Sequence, residues 1–298
     1  MNLGDRKEYI GGSEISAVLN LNRWKTPLQL YLEKTGKVEE KDLSEDEAVG
    51  WGIELEDVVA RKYAKKNNVK VLRTSKDYTH PEHRYIRGHI DRLIAGTDEI
   101  LEIKTCSAYK NKEWEGEDIP FEFICQIQLY LGLTGRNIGH IACLIGGQKY
   151  IQKTIAFDPE LYQMMIDKAV EFWNEHVLKD IPPLATLGDK EALLQLYPKN
   201  ARDDIIIANE DINTAIALRQ EISGQIGALE EQKEMLENQI KQVIADNIGV
   251  ETSKYVVTWK PQSRKSVDIE KLKEDSLYEK YSKTSISRVL NVRLRKDK

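Results

Sequence analysis

The sequence predicts an α/β protein, a mixed sheet flanked by helices, followed by a separate and largely helical C-terminal arm. Three observations carry this. Apolar residues recur at helical spacing up to about residue 67, and the period then switches to two through residue 105. Helical and strand periods alternate again as far as Ile181-Pro182-Pro183. Beyond that point aromatics thin out and a heptad spacing takes over, so the chain divides into 1–183 and 184–298.

The elements follow in order. Ser13 is placed to cap a short helix over ISAVLNL. In TPLQLYLEKTG, Thr26 is the cap, Pro27 the first helical residue and Gly36 the stop. A longer helix runs from about Ser44 to Asn67. Ser44 and Glu47 read as a capping box, and Val49, Ile53, Val58, Val59 and Tyr63 as the apolar face. VKVLRT, HRYIRGHIDRLIAG and EILEIKTCS are strands, the last two joined by a turn at Gly96-Thr97-Asp98. PFEFICQIQLYLGLTG is a helix between Pro120 and Gly135. Two strands follow around Gly146-Gly147. Asp158 then caps a helix whose stripe of Leu161, Met165, Ala169, Phe172, Trp173 and Val177 faces the core. Trp51 also reads as core. In the arm, a helix spans about Asn209 to Ile248. Its seam is Ile222, Ile226, Leu229, Leu236, Ile240 and Val243, with Lys233 at one seam position. A strand at KYVVTWKP and a short helix at DIEKLKED complete the pattern.

Composition narrows the function. With 41% hydrophobic and 31% charged residues and a net charge of −5, the chain is an ordinary globular one. No apolar run approaches the ~18 residues of a membrane span. The first residues lack the apolar stretch of a secretory signal, which predicts a cytoplasmic protein. Cys106, Cys125 and Cys143 are isolated, which argues against a disulfide framework or a four-thiolate metal site. The five histidines show no H-x₃-H spacing for zinc, and no glycine cluster fits a nucleotide-binding loop. Val250 to Lys298 holds 13 Lys/Arg and 7 Asp/Glu, a balance of +6, leaving −11 for the rest. A basic end suits a polyanion; it also suits plain solvation.

The stretch from Ile90 to Thr105, IDRLIAGTDEILEIKT, carries the chemistry. Glu102 and Lys104 are two apart on one strand and share a face, with Leu101 and Ile103 on the other. A hairpin brings Asp91 opposite or diagonal to Glu102. Two carboxylates this close repel unless a cation lies between them. As hard oxygen ligands they suit Mg²⁺ or Mn²⁺, with the Ile103 backbone carbonyl as a further oxygen. Taken alone, the spacing is a weak signal and better describes a surface salt-bridge cluster contributing ~0–1 kcal/mol.

Five short pieces occur in one order: Arg6 followed by GGSEI (Gly11 to Ile15), WGIELE (Trp51 to Glu56), HID (His89 to Asp91), LEIK (Leu101 to Lys104) and CQIQLY (Cys125 to Tyr130). Together they resemble the YqaJ-type viral recombinase nucleases, relatives of lambda exonuclease in the PD-(D/E)xK superfamily, over roughly residues 5–183. The resemblance implies a restriction-endonuclease-like core. It implies that Asp91 and Glu102 ligate Mg²⁺, or Mn²⁺ in its place, and that Lys104 positions the attacking water. Glu56 looks like a further metal-side acid, with Glu54 as the competing choice. Gln126 looks like the family's site glutamine; Gln128, about 200° further round the helix, cannot face the same site. Arg6 and Ser13 resemble a pair that grips a 5′ phosphate. Trp24, flanked by Arg23 and Lys25, is a candidate for stacking on DNA.

The implied activity is Mg²⁺-dependent 5′-to-3′ degradation of linear duplex DNA, leaving 3′ single strands for phage recombination. The implied partners are double-stranded DNA ends, a single-strand annealing protein, and further copies of the chain in a trimeric ring. One departure is that Ile90 stands where the family has proline. The arm beyond residue 183 has no counterpart in the short lambda-type enzymes. The competing readings are a structure- or site-specific endonuclease on the same core, and a non-catalytic DNA-binding scaffold.

Overall fold

A computed structural model describes residues 6–39, 42–283 and 290–293. Part of the basic end, 284–289 and 294–298, lies outside the described residues. The chain divides into two units, Met1–Pro198 and Lys199–Lys298.

The first unit opens with a 3₁₀ turn at Arg6–Glu8, then α1 (Ile15–Val18) and α2 (Pro27–Lys34). α2 begins as its sequence asks. Thr26 Oγ1 accepts from the Gln29 amide, the Gln29 side chain accepts from the Thr26 amide, and Pro27 fills the first turn. α1 does not: its N-cap is Glu14, and Ser13 stands exposed beside it. The buried Glu14 carboxylate accepts from Gly11 N at 2.9 Å and pairs with Lys34 Nζ at 2.7 Å, so it fixes the turn without a serine cap. α3 (Glu47–Asn67) is capped by Asp46 rather than Ser44, its Oδ1 accepting from Ala48 and Val49. Only part of its apolar stripe is core. Val59, Ala60 and Tyr63 are buried, whereas Val49, Trp51, Ile53 and Val58 are exposed. Apolar spacing marks a helix face but not how far the sheet beneath it reaches.

The strands are β1 (Val71–Arg73), β2 (Asp77–Thr79), β3 (Arg87–His89), β4 (Arg92–Ile94) and β5 (Glu99–Cys106). After α4 (Phe121–Thr134) come β6 (Ile138–Ile145) and β7 (Lys149–Ala156). Five of the strands form one sheet in the order β1-β4-β5-β6-β7, with β2 and β3 paired separately. β5 and β6 are parallel and every other neighbouring pair is antiparallel. Parallel neighbours need a crossover, and α4 supplies it. Gly96, at φ +81°, turns the chain between β4 and β5. The stretch expected as one strand over HRYIRGHIDRLIAG is instead broken between His89 and Arg92, which leaves Asp91 at the break. There the buried Arg92 guanidinium donates to the Asp91 carbonyl at 2.7 Å and holds the bend.

Helices cover both faces of the sheet. Leu101, Ile103 and Ala142 pack under Val59, Ala60 and Tyr63 of α3. Ile100, Ile141 and Cys143 pack under Ile127, Tyr130 and Leu131 of α4. A third cluster joins α1, α2 and α4 to α5 (Pro159–Glu171) and a π-helical turn at Phe172–Val177, with Met165, Phe172 and Trp173 inside. α6 (Lys190–Leu196) buries Ala192 in this cluster, and Asp189 accepts from Thr26 Oγ1. Residues 184–198 therefore belong to the first unit, past the expected boundary at 183.

In the second unit, Asn209 caps α7 (Glu210–Ile244), which ends at Ala245 (φ 46°) rather than at Ile248. β8 (Gly249–Glu251) and β9 (Val256–Thr258) form a hairpin, followed by α8 (Ile269–Glu274) and α9 (Tyr278–Tyr281).

Candidate active site

β5 places its even-numbered residues toward α4 and its odd-numbered ones toward α3. Glu102 and Lys104 therefore sit beside Ile100 on the α4 face. The β4–β5 register pairs Arg92 with Leu101, so Asp91 falls across from Glu102 as the strand opens. Asp91 Oδ2 accepts from Ile103 N at 2.8 Å. An extended residue points its N–H and C=O to the same edge, so the Ile103 carbonyl faces the gap that Asp91 occupies.

The ammonium and the acids form a closed network. Lys104 Nζ lies 2.7 Å from Glu102 Oε1 and 3.0 Å from Gln126 Oε1. Gln126 Nε2 donates to Glu102 Oε1 at 2.7 Å and to Tyr130 Oη at 2.9 Å. The Phe123 ring lies 5.1 Å under the Lys104 ammonium. Glu102 is 2% exposed, and its Oε2 is buried without a donor among the described residues. Burial, joined by the neighbouring Asp91 charge, pushes the Glu102 carboxyl up to about 8. Burial also raises Asp91, against the pull of Lys104. Burial alone would depress Lys104, but Glu102 and Asp91 more than offset it and hold the group firmly protonated.

With Glu102 protonated the Lys104 ammonium balances Asp91; once Glu102 ionises, one ammonium beside two carboxylates leaves an uncompensated charge, which costs several kcal/mol in a protein interior. The orphaned Glu102 Oε2 beside Asp91 is an oxygen that a hard dication would satisfy. The donors present, two carboxylates and a carbonyl, suit Mg²⁺ or Mn²⁺. Among the described residues, no three His, Cys, Asp or Glu side chains form a ready-made cage. Glu56 shows why. It lines the same concavity as Asp91, yet it is ion-paired to Arg92 and, at 3.4 Å, to Arg73. Glu54 lines a different surface with Trp51.

The sequence reading missed Arg92 and Arg73. Strand alternation was the available signal for Arg92, since it puts the residue on the face of Ile94, where a charge needs a partner. Gln126 reaches the acids. Gln128 instead ties the end of β7 to α5, donating to Ala156 O at 2.8 Å and accepting from Asp158 N at 2.9 Å.

Arg6 and Ser13 come together in a second concavity of about 260 Å³, shared with Tyr9, Arg87, His89 and Tyr130. Arg87 lies 5.1 Å over the Tyr9 ring and adds a cation that sequence reasoning had not placed there. His89, 3.3 Å from Asp77, lines both this concavity and the one holding Asp91. Tyr130 joins the two regions: its ring lies against Gly12 and Gly88, and its hydroxyl bonds Gln126. Trp24 is 65% exposed, with its ring 6.4 Å from Phe123. Of its flanking cations, Arg23 lies 5.2 Å over the Trp24 ring while pairing with Glu113 and Glu122, and Lys25 pairs with Glu33.

The description of the family model that matches residues 3–137 is YqaJ-like viral recombinase domain. The protein YqaJ of Bacillus subtilis (strain 168), itself uncharacterized, is 39% identical over 289 residues, covering 94% of this chain and 89% of its own length. The chain belongs to the YqaJ-like viral recombinase family. The fold is also that of an alkaline exonuclease, LHK-Exo, from Laribacter hongkongensis. Its crystal structure matches with a TM-score of 0.50 at 19% identity, over 59% of this chain and 91% of that one. That match covers a share of the chain comparable to the first unit, and relatedness to YqaJ extends through the arm.

Proposed function

We propose that this YqaJ-like recombinase is a divalent-metal-dependent deoxyribonuclease that degrades linear duplex DNA from its ends. One observation carries the reading: the buried, donorless Glu102 Oε2 beside Asp91, with the Lys104 ammonium on the other Glu102 oxygen at 2.7 Å. Family membership and the alkaline-exonuclease fold point in the same direction.

Asp91, Glu102 and the Ile103 carbonyl would hold Mg²⁺, with Glu56 approaching once Arg92 or Arg73 yields it. When bound, the ion supplies positive charge to a phosphate oxygen and lowers the pKa of water. Lys104 has three N–H donors and gives two to Glu102 and Gln126; the third orients the attacking water. Gln126 holds Lys104 and Glu102 in register. The water gives a proton to solvent as its oxygen bonds to phosphorus, the P–O3′ bond breaks, and the departing O3′ takes up a proton from solvent. Arg6, Ser13 and Arg87 would receive a terminal 5′ phosphate. His89 connects that concavity to the acids, which favours 5′-to-3′ polarity. A single-strand annealing protein as partner and a three-fold ring around the DNA belong to the same proposal, on the likeness to lambda-type nucleases.

The test is digestion of linear duplex labelled at one end, with and without Mg²⁺, beside a closed circle. Metal-dependent release from the 5′ end and an intact circle are expected. Lys104→Ala should lower hydrolysis by about 10²–10⁴-fold while DNA binding persists. Cutting of the closed circle, or a Lys104→Ala variant of unchanged rate, would overturn the proposal.

A further inference from the structure

α7 is 35 residues long, and Ile244 is its one buried residue. Ile222, Ile226, Leu229, Leu236, Ile240 and Val243 are 40–71% exposed. A long helix with an open apolar seam gains its stability from packing, so this one calls for a partner.

The seam specifies the partner. Steps of four and three put Ile226, Lys233 and Ile240 at the a positions of a heptad, and Ile222, Leu229, Leu236 and Val243 at d. On either side of Lys233 this is Ile at a with Leu at d, the combination that favours two parallel strands. Gly224 and Gly227 fall at f and b, away from the seam. The flanking positions decide the direction. The e residues are Ser223, Glu230 and Glu237, and the g residues are Gln225, Gln232 and Gln239. A parallel pair sets Gln225 against Glu230 and Gln232 against Glu237, which can bond without repulsion. An antiparallel pair puts the two e edges together and opposes glutamates. Lys233 leans to Glu237 at 3.5 Å, out of the seam, and a single Lys at an a position penalises shifted registers.

We propose that α7 is an interaction surface for a second copy of this chain, paired parallel and in register through the 222–243 seam. The interface goes beyond the nuclease reading and stands whether or not that reading holds; since three arms cannot all pair two by two within one three-fold ring, the pairing would join copies from separate rings.

Oxidative cross-linking of the full-length protein tests it. Ile222→Cys and Leu236→Cys are made separately, and the native cysteines serve as the unsubstituted control. Each variant alone should form a disulfide-linked dimer, because in register each position faces itself. Cross-linking only when the two variants are mixed would mean an antiparallel pair and would overturn the proposal. No cross-linking would overturn it as well. As a second measurement, sedimentation equilibrium of Ile226→Asp/Leu229→Asp should give a lower mass than the parent chain, with the circular dichroism of the first unit retained. An unchanged mass would refute the interface.

Discussion

Gly12→Ala should disable the site from a distance. A Cβ at Gly12 would lie 2.3 Å from Tyr130 Cε1 and 2.5 Å from Cζ and Oη. Reaching an ordinary contact of about 3.4 Å requires a displacement of roughly 1 Å. The loop cannot supply it. Gly11 N is bonded to the buried Glu14 carboxylate at 2.9 Å, and Ile10 is bonded to Tyr85 and Arg87. The ring has little room to supply it either, because Tyr130 is buried and its hydroxyl is tied to Gln126 at 2.9 Å. Overpacking of this kind costs about 1–3 kcal/mol. Stretching the 2.9 Å Tyr130–Gln126 bond adds about 1–3 kcal/mol for a buried group left unpaired. At ~2–4 °C per kcal/mol for a unit of this size, the melting temperature should fall by about 4–24 °C. A shift of about 1 Å passed through Gln126 to Glu102 and Lys104 should slow hydrolysis by ~10²-fold. Tyr130→Phe separates the two effects, since it removes the hydroxyl without adding volume. It should cost about 10-fold in rate and about 1–3 kcal/mol of stability for the lost Gln126 bond, without the overpacking penalty. Thermal melting and the rate on end-labelled linear duplex measure both. A Gly12→Ala protein with parental melting temperature and rate would show that Tyr130 positions nothing.

Burial raises both site acids, Glu102 to about 8, and each must lose its proton to accept a dication. Apparent Mg²⁺ affinity should therefore climb with pH and level off above about 8; titration calorimetry giving a flat profile would contradict this. Without metal the sign reverses. The folded chain keeps a Glu102 proton that the unfolded chain sheds near 4.5, so stability should decline as pH rises from there to about 8. Replacing Arg6, Ser13 and Arg87 together should erase any preference for 5′-phosphorylated over hydroxyl ends, read from competing rates; an intact preference places the phosphate elsewhere. Lys34→Met leaves Glu14 charged and buried. It should cost about 3–5 kcal/mol by denaturant unfolding, much of it recovered by adding Glu14→Gln.

Local chemistry made much of the first unit legible. Thr26-Pro27, Pro120, Gly135 and Asp158 each fix a helix end through a single bond or a fixed φ, and each acts as its sequence suggests. The Asp91, Glu102 and Lys104 grouping was readable because strand period and a tight turn suffice to assemble it. Features set by distant residues were hidden. Glu14 takes over the turn that Ser13 was expected to cap only because Lys34 arrives from the next helix. Asp46 lies closer to the α3 start than Ser44 and takes the cap. Trp51 looks like core by hydrophobicity, yet it is more than half exposed. Glu56 was found by its place in WGIELE, but its hold by Arg92 and Arg73 depends on strands that meet it only in the fold.

Crystals soaked in Mn²⁺ and measured at the manganese edge address the central claim most directly. An anomalous peak should appear between Asp91 and Glu102, about 2.0–2.3 Å from a carboxylate oxygen of each, and vanish in Asp91→Asn. A parent crystal with no peak there, or with manganese bound only elsewhere, would contradict the account.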